Sequence, residues 1–255
     1  MTDSIYSNGT YAARNPGWHS QDSDWKASHL YSLLKTGMLE MPCHQEMSLV
    51  EVGCGYGGVI SAFARLLRAY GIRFRAMGCD IAAHAVEEAS KRHPEVQFVI
   101  GDLSSMPERC DLGLVVDLLE HLEDPVAFLT NARTRFTWTV FHIPLDEHWN
   151  GKAYRPGHYY QYLKEDRGHI HYFTKASAFQ LLRDTGFRVV RWKYTPWGLE
   201  LYRPGGSRSA PVVRLLRATG MRLCPDLCES SRRRVSCLSL CHRASLKKVR
   251  VSPRW

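Results

Sequence analysis

The chain has 255 residues, of which 44% are hydrophobic and 23% are charged, and its formal net charge is +9. Such a length supports one sizeable core, and the composition is ordinary for a soluble globular protein. No apolar run reaches the roughly 18 residues of a membrane-spanning helix, and the first residues lack the cationic start and apolar block of a signal peptide, so a cytoplasmic protein is expected.

Residues 1–47 are predicted to form an N-terminal cap segment. The stretch that begins at Ser23 combines capping residues, a stripe of leucines and a closing Gly37, which predicts a helix. This helix is expected to pack over one edge of a sheet. It would serve there either as a hydrophobic lid on the core or as a cover for a ligand pocket.

The most informative stretch is SLVEVGCGYGG, residues 48–58. A short apolar run carries Glu51 and ends in a turn that contains Gly53, Gly55 and Gly57, and an apolar-periodic segment follows at once. This order predicts a buried strand, a glycine turn and a helix, an arrangement in which the backbone can approach a nucleotide closely. A glycine turn alone is weak support for a cofactor site.

Three further strands are predicted to end in a carboxylate. FRAMGCD ends at Asp80, VQFVIGD ends at Asp102 and CDLGLVVD ends at Asp117. A helical pattern follows Asp80, and a turn and a helical pattern follow Asp117. A fifth strand, WTVFHIP, ends at Pro144. The alternation of strands and helices predicts an α/β fold with a doubly wound parallel sheet, in which ligands bind beyond the carboxyl ends of the strands.

Asp80 lies 22 residues after Gly58, the distance at which an acidic residue holds the ribose hydroxyls of a bound nucleoside. The residues alone therefore predict a nucleoside cofactor at the strand ends. They do not distinguish between the cofactors that contain one.

These motifs carry a family resemblance. The run from Glu51 to Gly57, then Asp80, Gly101-Asp102 and the run DLLEHLEDP from Asp117 resemble class I S-adenosylmethionine-dependent methyltransferases of the small-molecule type. The segment from Gly168 to residue 190 is similar to the final region of the same group. The resemblance covers roughly residues 48–195 and implies a mostly parallel, Rossmann-like seven-stranded sheet with helices on both faces.

The resemblance also implies roles for individual residues. Glu51 and the turn Gly53–Gly57 would border the methionine part of S-adenosyl-L-methionine, and Asp80 would hold its ribose. The other implied cofactor contacts are Ile81 on adenine, Asp102 and Leu103 at the adenine amino group, and Asp117 and Leu118 at the sulfonium end. A dinucleotide is the alternative cofactor, but the turn reads G-x-G-x-G-G rather than G-x-G-x-x-G, and a second glycine turn is absent from the sequence.

Methyl transfer from a sulfonium requires alignment of the acceptor, and it requires a base only if the acceptor must lose a proton. His148, His142 and His169 are the candidate bases. His121 is expected to make a structural bond to the neighbouring loop, and a structural bond is the preferred role for His169 as well. His169 and His171 form an H-x-H pair, and on a strand both would face one side, as a metal ligand or a base requires. No metal site is predicted.

Residues 146–172 interrupt the regular alternation and are rich in aromatic and histidine side chains. This segment is predicted to be an acceptor lid within a core of residues 48–200. Its candidate substrate-binding residues are Trp149, Tyr159, Tyr160, His171 and Tyr172.

Residues 201–255 are predicted to form a basic C-terminal extension, because the stretch from Arg203 has 13 Lys and Arg against two acidic residues. Residues 210–222 are predicted to form a short basic helix, and the stretch around Cys237 and Cys241 is predicted to add an edge strand with both sulfurs on one face. The four C-terminal cysteines lack the C-x2-C spacing usual for structural zinc, so reduced core thiols are expected.

The sequence thus predicts a methyltransferase that acts on a hydroxyl or an amine of a small molecule, as in secondary metabolism, and the basic extension would suit an anionic acceptor. Three alternatives remain open: an RNA methyltransferase that uses the basic tail, a non-catalytic cofactor-binding scaffold, and use of the sulfonium for intramolecular cyclisation. Nucleic acid and membrane partners are not favoured. The oligomeric state, monomer or homodimer, is open.

Overall fold

A seven-stranded sheet forms the centre of the structure, a computed structural model that describes residues 9–15, 17–18, 20–35, 46–146, 161, 163–165, 167–195 and 236–243. The strands are β1 (Met47–Val52), β2 (Phe74–Asp80), β3 (Gln97–Ile100), β4 (Cys110–Val116), β5 (Phe136–Pro144), β6 (Phe187–Thr195) and β7 (Ser236–Arg243). Their spatial order is β3-β2-β1-β4-β5-β7-β6. The predicted doubly wound, mostly parallel sheet is confirmed, because every neighbouring pair from β3 to β5 is parallel.

The helices of the described residues are α1 (Thr10–Arg14), α2 (Ser23–Lys35), α3 (Gly58–Ala69), α4 (Ala83–Arg92), α5 (Pro125–Arg135) and α6 (Lys175–Asp184). α2 begins where the sequence predicts it to begin. Several starts have a clear local cause: Asp124 caps α5 by accepting from the Ala127 N–H, and Thr174 caps α6 through a reciprocal bond pair with Ser177.

Two hydrophobic clusters cover the two faces of the sheet. One contains Leu30 and Leu34 of α2 and Phe63 of α3, and the other contains Leu129 of α5 and Leu182 of α6. Because side chains alternate along a strand, each buried strand contributes to both clusters. The cap helix α2 is therefore part of the core, as one of its two predicted roles requires.

The prediction that β7 is an edge strand is wrong. β7 lies between β5 and β6 and pairs antiparallel with both, which leaves β6 and β3 at the edges of the sheet. The physical reason is burial on both faces: Cys237 and Cys241 enter one cluster, as predicted for the two sulfurs, while Leu238 and Leu240 enter the other. A strand with two apolar faces is stable in the interior of a sheet, so the C-terminal extension supplies part of the core.

The segment that contains His169 and His171 is also different from the prediction, because it forms no strand. Its backbone crosses the turn after β4 instead, where the N–H groups of Ile170 and His171 both donate to the carbonyl oxygen of Glu120. The two histidines consequently have different partners. The predicted basic helix at residues 210–222 and the cysteines at 224 and 228 lie outside the described residues.

Candidate active site

A cavity of about 1040 Å³ opens at the carboxyl ends of β1, β2 and β4. We call it the strand-end cavity, and it is lined by Glu51, Asp80, Asp102, Asp117 and neighbouring groups. The four carboxylates lie in one cavity because the ends of adjacent parallel strands meet at the same edge of a sheet.

The glycine turn lets other parts of the chain approach its backbone. Gly55 has φ +51°, and a Cβ there would lie 2.9 Å from the ring of Trp18. Gly57 has φ +73°, and a Cβ there would lie 2.4 Å from Phe98. Gly53 and Gly55 are among the residues that line the cavity, but Gly57 is not. Gly57 is the N-cap of α3 and lies against Phe98 of β3.

Glu51 is buried at the base of the turn. Its Oε2 accepts from the Ile60 N–H at 3.1 Å, in the first turn of α3. Burial raises the pKa of this carboxyl to about 8, and the Ile60 bond and the charge of Lys26 offset only part of that effect. A cationic group in the cavity would therefore stabilise the buried Glu51 carboxylate.

Asp80 fastens the glycine turn to the end of β2. One carboxylate oxygen accepts from the Gly55 N–H at 2.9 Å and the other accepts from the Ala82 N–H at 2.9 Å. Burial raises the pKa of Asp80, and these two bonds oppose the rise. Each oxygen keeps a second lone pair for a ligand hydroxyl, and the adjacent Ile81 is 50% exposed in the cavity wall.

Asp102 follows β3 and caps the short 3-10 turn Leu103–Ser105. Its Oδ1 accepts from both the N–H and the hydroxyl of Ser104, at 2.8 and 2.5 Å, and these bonds lower the pKa of Asp102. The other oxygen, Oδ2, is thereby left as the one that can face a ligand. The side chain of Leu103 is buried beside it and also lines the cavity.

Asp117 stands directly after β4 in the left-handed conformation, with φ +48°. A non-glycine residue is strained there and persists because its surroundings hold it. Lys26 Nζ lies 2.9 Å from Oδ2, and His142 Nδ1 lies 2.5 Å from Oδ1. Although burial alone would raise it, these two groups hold the pKa of Asp117 well below its usual range.

His142 is not free to act as a base in this geometry. Its Nδ1 contacts Asp117, and its Nε2 lies 2.9 Å from the hydroxyl of Thr195 on β6. Both ring nitrogens are therefore engaged, and the side chain is 4% exposed. The arrangement makes His142 a group that positions Asp117, which argues against the predicted catalytic role.

A second group of ionisable side chains lies farther along the cavity wall, in the turn after β4. Glu120 is fully buried, and neither of its carboxylate oxygens has a hydrogen-bond partner within the described part of the chain. His121 Nδ1 donates to the Gly168 carbonyl at 3.0 Å, which confirms the expected structural bond to the neighbouring loop. Burial lowers the pKa of His121 to about 4, so this ring is neutral.

His169 shares that wall. Its Nδ1 lies 2.6 Å from Asp146 Oδ2, and its ring stands edge to face with that of His121, with centroids 4.9 Å apart. His169 thus has the structural bond that was preferred for it. It also lines the cavity.

Other predicted acceptor residues lie elsewhere. His171 Nε2 donates to the Leu122 carbonyl at 2.8 Å, and the Tyr172 hydroxyl donates to the His169 carbonyl at 3.2 Å. Neither side chain is among the described residues that line the strand-end cavity, so the substrate-binding role predicted for them gains no support from this geometry. His148, Trp149, Tyr159 and Tyr160 lie outside the described residues.

The sequence reading missed several cavity residues of the N-terminal segment. Tyr11, Trp18, Asp22 and Lys26 all line the strand-end cavity, so this segment covers the pocket as well as the core. Lys26 also makes a 3.0 Å ion pair with Asp22, and although burial alone would lower it, the two carboxylates raise the pKa of Lys26. The available signal was a cation on the apolar stripe of α2, four residues before Leu30.

Two findings concern the whole described chain. The cysteines at 54, 79, 110, 237 and 241 are buried free thiols. Within the part of the chain that the structure describes, every helix is too short or too polar to cross a membrane.

Comparison with solved structures gives strong fold matches at low sequence identity. A methyltransferase in complex with the Haloferax volcanii Trm112 activator has a TM-score of 0.59 at 14% identity, covering 92% of this chain and 97% of that chain. Magnesium protoporphyrin IX methyltransferase from Synechocystis, with bound SAH, has a TM-score of 0.56 at 17% identity, covering 94% and 96%. The cyclopropane synthase MmaA2 from Mycobacterium tuberculosis has a TM-score of 0.56 at 12% identity, covering 84% and 83%.

Comparison with curated proteins finds no significant match. The sequence model of a family described as a methyltransferase domain, however, matches residues 26–191, which is more than half of the chain. This match begins at Lys26, inside the cap helix, and ends in β6. The chain therefore belongs to the methyltransferase domain family, and it has the Rossmann-like fold of class I S-adenosylmethionine-dependent methyltransferases.

Proposed function

We propose that this chain binds S-adenosyl-L-methionine in the strand-end cavity and transfers its methyl group to a hydroxyl or an amine of a small molecule, as in secondary metabolism. One observation carries the proposal: Glu51, Asp80, Asp102 and Asp117 line a single cavity beside the glycine turn of a methyltransferase-family chain. SAM and SAH are the ligands with which one of the fold neighbours was crystallised.

The cofactor contacts follow the order of the strands. Glu51, Gly53 and Gly55 lie where they would border the methionine part, whose ammonium supplies a cation for the buried Glu51. Asp80 would hold the ribose through the lone pairs that its two backbone bonds leave. The remaining contacts are Ile81 against adenine, Asp102 and Leu103 at the adenine amino group, and Asp117 and Leu118 near the sulfonium.

The reaction needs little from the protein beyond positioning. The methyl group moves by in-line displacement from a sulfonium, which is already an activated leaving group, so orientation and exclusion of water account for most of the catalysis. Asp117 is held rigidly by Lys26 and His142 at the end of β4, and a fixed carboxylate there favours one orientation of the cationic sulfonium. A cavity of about 1040 Å³ is at the upper end of the range for small-molecule sites, which leaves space for an acceptor beside the cofactor.

The acceptor would lie against the wall formed by Tyr11, Glu120, His121 and His169. Of the three candidate bases, His142 has both nitrogens engaged and His148 lies outside the described residues. His169 remains as the one that faces the cavity, with Asp146 fixing the orientation of its ring. The positively charged extension would favour an anionic acceptor, as the sequence suggested.

The proposal is tested by calorimetry with S-adenosylmethionine. Asp80→Ala removes the ribose contact and the clasp on the glycine turn, so we expect binding to weaken by roughly tenfold or more, the effect of losing one or two charge-assisted hydrogen bonds. Transfer itself is tested by incubating the wild-type protein with methyl-labelled cofactor and a panel of small hydroxyl and amine compounds, and by searching the products for the label.

Asp111→Ala is the matched control. Asp111 also accepts two bonds, from the N–H and the hydroxyl of Ser48. It lies at the start of β4, however, at the end of the strand that is opposite to the cavity. We expect its cofactor affinity to equal that of the wild type. Equal affinity of Asp80→Ala and wild type, or no binding by the wild type, would contradict the proposed site.

A further inference from the structure

Three side chains on the cavity wall are arranged as a set of metal ligands. Glu120, His121 and His169 each offer one ligand atom, and these atoms all lie within 4.8 Å of one another. They come from two segments, the turn after β4 and the loop before α6, which the bonds from Ile170 and His171 to the Glu120 carbonyl hold together.

The imidazole rings have the orientation that ligands require. A carbonyl oxygen only accepts, so the Nδ1 of His121 that contacts the Gly168 carbonyl carries the proton, and its Nε2 has the lone pair. That Nε2 lies 3.8 Å from Glu120 Oε1. In His169, Nδ1 faces the Asp146 carboxylate, so Nε2 is again the nitrogen whose lone pair can bind a metal ion. Metal-binding histidines typically donate their other N–H to a carbonyl or a carboxylate in this way.

Glu120 provides an independent observation. Its side chain has no exposed surface, and among the described residues neither carboxylate oxygen has a hydrogen-bond partner, since the nearest imidazole nitrogen, His121 Nε2, is 3.8 Å away. A buried carboxylate without a partner is costly, and such groups are normally paired or bound to metal. Glu120 lines the strand-end cavity together with both histidines, so this buried group has a place for a partner.

We propose that Glu120, His121 and His169 bind a divalent first-row transition metal ion such as Zn²⁺, with Asp146 as the outer partner of His169. Two imidazoles and one carboxylate suit zinc or iron, whereas Mg²⁺ prefers oxygen ligands alone. Three protein ligands leave a coordination position open toward the cavity. If the proposed function is correct, this position faces the acceptor, and the ion would bind an acceptor oxygen or nitrogen there. His169 would then act as a metal ligand in place of the base role considered above, because its Nδ1 faces Asp146 and its Nε2 binds the ion.

The metal site differs from the H-x-H reading of the sequence. His169 acts with His121, which is distant in the sequence, and not with its neighbour His171, whose Nε2 is engaged by the Leu122 carbonyl. His171 is therefore the matched control for His169: it is the same residue type in the same loop, but it is not placed at the site.

The test uses the full chain without an affinity tag, stripped of metal by a chelator and titrated with Co²⁺, whose visible absorption reports its ligands, and then with Zn²⁺ in competition. We expect one equivalent of each ion to bind the wild type. Glu120→Gln and His169→Ala should weaken binding by roughly tenfold or more, and Asp146→Asn by about tenfold or more, the usual loss from an outer partner. His171→Ala should bind as the wild type does.

Two further measurements keep the result interpretable. Zn²⁺ should raise the thermal midpoint of the wild type, because it binds only the folded state, and should leave that of Glu120→Gln unchanged. S-adenosylmethionine binding is measured on the same samples. Cofactor binding without metal binding in the wild type overturns the metal site alone, and so does equal Co²⁺ affinity of Glu120→Gln, His169→Ala and wild type. Metal binding without cofactor binding contradicts the proposed function and leaves the metal site supported.

Discussion

At the scale of single residues, the site is a set of charges held in unfavourable surroundings. Asp117 adopts a strained backbone conformation between a buried lysine and an imidazole, while Glu51 and Glu120 are buried with little or no compensation. The buried carboxyl groups of Glu51 and Glu120 destabilise the protein when no ligand is bound, and a bound cation would offset the cost of burying them. Function and stability therefore oppose each other at these positions.

Lys26→Met tests the pairing with Asp117. The substitution leaves the carboxylate without its cation, and breaking a buried pair from one side typically costs about 3–5 kcal/mol. We expect the lower end of that range, since the Asp117 side chain is 28% exposed, and we expect weaker cofactor binding as well. Denaturant unfolding gives the free energy. The control Lys91→Met removes an exposed pair with Glu88 and should change it by less than about 0.5 kcal/mol.

Glu51→Gln tests the buried acid through pH. The folded protein has a Glu51 pKa of about 8 against an ordinary value of 4.5, so between these values the folded state binds more protons than the unfolded state. The wild type should therefore lose stability, relative to Glu51→Gln, as pH rises from 4.5 toward 8. Urea unfolding at about pH 6 and about pH 9 checks the sign. If the wild type lost no stability relative to Glu51→Gln between these two pH values, the raised pKa of Glu51 would be contradicted. Unaltered S-adenosylmethionine affinity of the variant would contradict the role of Glu51 in cofactor binding.

At the scale of elements, the sequence predicted those features that depend on residues close together in the chain. The strand, glycine turn and helix around Gly55 were correct because one run of sequence contains all three. The prediction that carboxylates lie at the strand ends was also correct, since their position depends only on where each strand ends. The position of β7 was not predictable in this way, because pairing with β5 and β6 depends on burial on both faces.

Leu238→Ala separates an interior strand from an edge strand. Leu238 is fully buried in β7, so its truncation should cost about 2–5 kcal/mol in unfolding free energy. The control is Ile100→Ala in β3, a true edge strand, where the side chain is 57% exposed and the expected cost is below about 1 kcal/mol. Similar costs for the two variants would argue that β7 lies at an edge.

At the scale of the whole molecule, the cavity is built from three distant parts of the chain. The sheet provides the carboxylates, the N-terminal segment provides Trp18 and Lys26, and the loop at Gly168 and His169 closes the far wall. The sequence predicted the first part in detail. It left the role of the second open, because Asp117, which pairs with Lys26 in the cavity, is distant from it in the sequence. It paired His169 with His171 because it placed a strand where a loop crosses Glu120.

The late position of β7 in the sequence has a consequence for folding during synthesis on the ribosome. β5 and β6 are both complete at Thr195, yet the strand that joins them begins only at Ser236. Until β7 is made, the backbone groups of β5 and β6 that pair with β7 in the folded protein lack that partner, and such edges invite pairing with other chains. We infer that the nascent protein depends on fast completion or on chaperone protection during this interval, and that stalling before Ser236 yields an aggregation-prone product.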